Sequence, residues 1–63
     1  MQEYVWVILV DGKFVRVVDE TMQKLKTPRL SRASFFKSKA DAEYVGQDIP
    51  HRVYRRVVIG LMP

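Results

Sequence analysis

The chain begins with an uninterrupted apolar run, Tyr4 to Val10, made of β-branched and aromatic residues and ended by Asp11-Gly12. A run of this length is too short for an ordinary helix and has the composition of a strand. Both residues of Asp-Gly accept positive φ, so the pair forms a type I′ turn whose twist suits a hairpin, and Phe14 to Val18 is predicted to return antiparallel. With Asp11-Gly12 as the loop, Val10 faces Lys13, Leu9 faces Phe14, Ile8 faces Val15, Val7 faces Arg16, Trp6 faces Val17 and Val5 faces Val18. The strand period of two then places Tyr4, Trp6, Ile8, Val10, Val15 and Val17 on one face. Val5, Val7, Leu9, Phe14 and Val18 fall on the other, with Arg16 as its single charge.

The pattern breaks between Asp19 and Ser34, where Pro28 removes a ladder donor and biases Thr27 toward extended backbone. Thr21 to Leu25 reads equally as an edge strand or a loop. Ala33-Ser34-Phe35-Phe36 reads as a short third strand. Ser38-Lys39-Ala40-Asp41 then opens a helix, with the Ser38 hydroxyl placed to cap the amide three residues on and Asp41 to complement the dipole. Gly46 is the predicted stop, at a position that often needs positive φ. Ala42, Val45 and Ile49 form the apolar stripe of this helix of about two turns, too short to persist without packing. After Pro50, Val53 to Leu61 alternates as a last strand, with Val53, Arg55, Val57, Ile59 and Leu61 on one face and Tyr54, Arg56 and Val58 on the other. A right-handed crossover is expected if the strands at 33–36 and 53–61 run parallel. The expected class is α+β in one domain: a small, mainly antiparallel sheet with an N-terminal hairpin, a short third strand, one short helix and a C-terminal strand.

Length sharpens this picture. A chain of 63 residues buries only about 60% of its unfolded surface, and without cysteine neither disulfides nor a thiolate zinc site can reinforce it. A two-turn helix covers one face of the hairpin, so the second apolar face needs another cover: the connection from Asp19 to Ser34, closure of the strands into a small barrel, or a second chain. No apolar run approaches the roughly 20 residues of a membrane-spanning helix. Met1-Gln2-Glu3 lacks the basic start of a secretory signal, so the expected location is cytoplasmic.

Charge is unevenly distributed. Residues 1–23 carry four acids against Lys13 and Arg16, whereas residues 24–63 carry nine bases against three acids. Lys24, Lys26, Arg29, Arg32, Lys37 and Lys39 form an acid-free run, and Arg52, Arg55 and Arg56 form a second group around Tyr54. Together they are the candidate contacts for phosphate or for an acidic protein surface. No zinc-finger spacing, Gly-x-x-Gly clamp or aromatic ribonucleoprotein motif accompanies them. Phe35 and Phe36 alternate, so one of the pair belongs to the core.

Enzymatic chemistry finds little support. His51 is the single histidine, placed after Pro50 with no second metal ligand in view, and its ordinary reading is a solvated turn residue. The seven acids show neither a calcium-loop spacing nor a carboxylate dyad, and the three glycines form no phosphate-binding loop. No catalytic residue, metal or cofactor is therefore expected. Ser31 and Ser34 follow arginines at the spacing of basic-directed kinase sites, a triplet that chance supplies often, and they read as loop serines.

Residues 33–46, a strand ending in Phe that runs into a Ser-capped, Ala-rich short helix, resemble small accessory proteins of bacterial phages and mobile elements. The resemblance implies a non-catalytic protein that docks on a larger host protein or complex, frequently to inhibit it. It carries over no functional residues. The expected function is therefore a binding module for a larger protein partner, with Tyr4, Trp6, Phe14, Tyr54, Arg55 and Arg56 as the side-chain types from which binding hot spots are built. The alternative is a nucleic-acid binder using the two basic groups, and a third is a subunit that self-associates through its strands.

Overall fold

The computed structural model describes residues 2–18, 21 and 23–60. Its elements are β1 (Gln2–Val10), β2 (Lys13–Val18), β3 (Gln23–Thr27), a 3-10 turn (Leu30–Arg32), α1 (Lys39–Gly46) and β4 (Arg52–Gly60). The four strands form one antiparallel sheet in the order β3-β2-β1-β4, which with α1 makes the expected α+β fold. The hairpin turn is as predicted, with Asp11 and Gly12 both at positive φ, 53° and 78°. Gln23–Thr27 resolves the open reading of the connection in favour of an edge strand, pairing Val15 with Lys26 and Arg16 with Leu25. Leu61 lies outside the described residues.

The hairpin departs from the predicted ladder. Val10 pairs with Lys13 and Leu9 with Phe14, but Trp6 exchanges both backbone hydrogen bonds with Phe36, at 2.7 and 2.9 Å, instead of meeting Val17. Ser34 engages the facing strand: its amide donates to the Val15 carbonyl, and its hydroxyl accepts from the Val17 amide at 2.8 Å. Residues 34–36 therefore lie between the parted arms of β1 and β2 and lace them together. The expected third strand is thus reduced to one antiparallel bridge at Phe36. A full strand would need a continuous ladder to at least one neighbour, and the hairpin, closed at its turn, leaves room for only a single bridge. Because β4 and the Phe36 bridge are both antiparallel to β1, they run parallel to each other with β1 between them and α1 linking them.

Directly opposed residues of an antiparallel pair project to the same side. Tyr4, Trp6, Ile8 and Val10 accordingly share the helix side with Val58, Arg56, Tyr54 and Arg52. There Ile8, Val10, Val15 and Ala42 form a buried cluster, flanked by Trp6, Val17, Phe36, Val45, Ile49 and Tyr54. The predicted helix stripe is the one that packs. The Ser38 hydroxyl caps α1 by accepting from the Asp41 amide at 3.2 Å. Gly46 serves differently from the expectation, since it sits in the last turn without positive φ. A Cβ there would lie 3.0 Å from Tyr54 Oη and 3.2 Å from Ile8 Cδ1, so close packing of helix on sheet requires the glycine.

The opposite face is covered by the chain's own connection. Val7, Leu9 and Ala33 form a second buried cluster, with Phe14 and Val57 packed against it. Val5 is buried too. The segment that leaves β3 at Thr27 thus crosses this face, seats Ala33 on it and then passes between the arms of the hairpin. Of the three covers considered above, the connection is the one observed. Trp6 and Phe14 remain half-buried.

Candidate interface on the outer strand

β4 is one of the two outer strands. Trp6 presents its amide and carbonyl to Phe36, so by alternation Val5, Val7 and Leu9 present theirs to Val57, Arg55 and Val53. Tyr54, Arg56 and Val58 consequently direct their N–H and C=O groups away from the sheet. Among the described residues nothing pairs with that edge. Val53 and Val58 flank it on the two faces and are 57% and 48% exposed. Arg52, Arg55 and Arg56 supply its charge, with no acid in the strand.

The six residues expected to contact a protein divide between the faces. Tyr4, Trp6, Tyr54 and Arg56 are on the helix side, and Phe14 and Arg55 are on the crossing side. Arg56 lies over the Tyr4 ring with its guanidinium carbon 4.6 Å from the centroid, and Tyr4 is 50% exposed. Lys39, at the start of α1, puts its ammonium 5.6 Å from the Trp6 centroid. Together with the pairings of Tyr4 with Val58 and of Trp6 with Arg56, these contacts gather the exposed Tyr4, Lys39, Arg56 and Val58 around the half-buried Trp6 beside the open edge. Tyr54 and Arg52 are committed to packing: Arg52 Nε donates to Tyr54 Oη at 2.8 Å, Arg52 Nη1 donates to the Ile49 carbonyl, and the Tyr54 ring abuts Gly46. Phe14 belongs to the second core cluster, away from the patch.

The residues proposed to contact phosphate are all exposed but do not form one surface. Lys24 and Lys26 project to the helix side from β3, and Lys24 is paired with Asp48 at 2.8 Å. Hydrogen bonding and charge from Lys24 hold the Asp48 carboxyl below the usual carboxylate range. Arg29 and Arg32 lie in the segment that crosses the opposite face, Lys37 and Lys39 bracket the start of α1, and β4 splits Arg52 and Arg56 from Arg55. Positive charge therefore surrounds the molecule. Of the two phenylalanines, Phe36 packs on the helix-side core and Phe35 stays 47% exposed. His51 is exposed in the turn before β4 at φ 58°.

Three or more histidines, cysteines, aspartates or glutamates able to share a metal ion do not meet anywhere among the described residues. No described helix is long and apolar enough to cross a membrane. Comparison with protein-family models, with characterised proteins and with solved structures gives no match for this chain.

Proposed function

We propose that the chain is a non-catalytic module that docks on a larger protein by pairing the open edge of β4 with an extended, acidic segment of that partner. The open edge is the observation that carries this reading. Tyr54, Arg56 and Val58 offer backbone donors and acceptors to an added strand, and Arg52, Arg55 and Arg56 give the strand a positive field with no acid in it. Self-pairing of two such edges would oppose like charges, which costs affinity. An acidic strand gains from the same arginines. Tyr4 and Trp6 with their cations, and Val58, form the patch on which its side chains rest. Docking on a larger protein, frequently to inhibit it, is what the resemblance of residues 33–46 to phage and mobile-element accessory proteins implies; the route through the β4 edge rests on the open strand alone.

A short peptide of alternating glutamate and valine tests the proposal against its lysine–valine counterpart, with amide shifts of the intact chain as the readout. Saturable shifts are expected along residues 53–58, with the acidic peptide bound at least about ten-fold more tightly. Val58→Pro, which removes an outward donor and leaves the ladder to β1 in place, should abolish binding. Shifts scattered over all basic residues, or equal binding of both peptides, would refute the proposal.

A second reading draws on the adjacent pairs Tyr4–Arg56 and Trp6–Lys39, since cations beside aromatic rings also form platforms for single-stranded nucleic acid. Its signature is salt dependence: affinity for a mixed-sequence oligonucleotide should fall steeply and log-linearly with salt. Absence of binding at low salt removes it.

A further inference from the structure

On the face away from α1, the 3-10 turn and the β2–β3 pair enclose an open groove of about 480 Å³, lined by Arg16, Val18, Leu25, Lys26, Thr27 and Arg32. Its construction accounts for the one charge on an otherwise apolar strand face. Arg16 stands directly across from Leu25, and both project into the groove. Arg32 reaches it from the crossing segment, whose backbone is fixed by the bonds from the Arg32 and Ala33 amides to the Arg29 and Leu30 carbonyls. The walls therefore carry two guanidinium groups on separately anchored elements, while Val18 and Leu25 make an apolar floor. Among the described residues the ion pair is Lys24 with Asp48, so neither guanidinium meets a described carboxylate. Among the described residues, those that line the groove include no acid.

We infer that this groove is a binding site for an organic phosphate monoester, its phosphate held between Arg16 and Arg32 and its carbon body laid on Val18 and Leu25. Planar guanidinium forks match phosphate oxygens two at a time, an arrangement lysine does not reproduce. The volume lies within the range of small-molecule sites, which combine apolar walls with a few placed polar groups. A bare anion would leave the Val18 and Leu25 floor unused. The groove is on the opposite side of the sheet from the Tyr4, Trp6 and Arg56 patch, so this site stands independently of the docking proposed for β4.

The two sources of such a group are a free nucleotide and a phosphorylated side chain, and they are separated by titrating the intact chain with adenosine monophosphate, phenyl phosphate and inorganic phosphate, following amide and arginine Nε resonances. Shifts are expected at Arg16, Leu25 and Arg32, with at least one organic ester bound about five-fold or more tightly than inorganic phosphate. Preference for the nucleotide identifies the first source, and preference for phenyl phosphate the second. Arg16→Gln and Arg32→Gln should each weaken binding about five-fold or more, whereas Arg56→Gln should leave it unchanged. Both glutamine variants replace exposed side chains, and an unchanged urea midpoint shows that they fold. Equal binding of all three ligands, shifts spread over every basic residue, or indifference to Arg16→Gln and Arg32→Gln would overturn the assignment.

Discussion

Ser34→Ala is expected to be the most informative single substitution, because it cuts the lacing of the hairpin and removes one oxygen atom. The Ser34 hydroxyl accepts from the Val17 amide at 2.8 Å in a partly buried position, while the Ser34 amide stays bound to the Val15 carbonyl. Alanine leaves the Val17 donor without its partner inside the parted hairpin, which costs about 1–2 kcal/mol. A domain of this size has a total stability of about 3–9 kcal/mol, so the loss is a large share and lowers Tm by about 5–15 °C. Urea unfolding followed by Trp6, the single tryptophan, reads the change beside the bridge itself. Hydrogen exchange should show the Val17 amide losing protection. Ser34→Thr keeps the acceptor and should retain most of the stability, while the exposed Ser31→Ala should stay within about 0.5 kcal/mol of the parent. A Ser34→Ala loss below about 0.5 kcal/mol, with Val17 exchange unchanged, would show that the segment does not hold the hairpin.

Gly46→Val forces a branched side chain into the space 3.0 Å from Tyr54 Oη and 3.2 Å from Ile8 Cδ1, and calorimetry should show a loss of about 1–3 kcal/mol. His51→Gly relieves a non-glycine residue at φ 58°; after glycine's own entropic cost a gain of a few tenths to about 1 kcal/mol should appear as a higher urea midpoint. The Asp48 carboxyl titrates below its ordinary range because Lys24 donates to it and attracts it. That contribution is complete above the unfolded-state pKa and disappears as pH falls through the lowered folded-state value. The stability gap between the parent and Asp48→Asn should therefore close in strong acid and shrink with added salt, which urea midpoints measured against pH will show.

What the sequence discloses tracks how local the responsible physics is. Asp11-Gly12 specifies its turn through backbone sterics confined to two residues, and Ser38 caps a helix through an amide three residues on. Both are legible. β3 was ambiguous because Gln23, Lys24, Leu25 and Lys26 are all exposed, so neither face of the strand imprints an apolar alternation. Ser34 looked like a loop serine beside arginines, and its partner is seventeen residues away. No spacing rule reaches that far. Gly46 was legible as a helix end for the wrong reason, since its Cβ is excluded by Tyr54 and Ile8 from distant strands. Among the candidate interface residues, alternation already set Phe14 apart from Tyr4 and Trp6, and Arg55 apart from Arg56, but only the β1–β4 register shows that Arg56 shares the face of Tyr4 and Trp6.

The route of the crossing segment also governs where a partner strand can be added. By covering Val5, Val7 and Leu9 from within the chain, it removes the broad apolar face that would otherwise demand a second protein, and what remains is an edge. Edges bind through backbone groups and rim charge, so the side chains that tune binding need not be the ones that hold the fold. In β4 the two sets meet only at Arg52, which is exposed yet braces Tyr54 and the turn after α1. Tyr54 packs against Gly46 of α1, whereas Val53, Arg55, Arg56 and Val58 are exposed and bond to neither. Charge reversal by Arg55→Glu with Arg56→Glu should therefore invert the preference between acidic and basic strands while changing stability by no more than about 1 kcal/mol. Were the same pair of substitutions to unfold the chain, the arginines would belong to the scaffold, and the proposal that β4 receives another strand would fall.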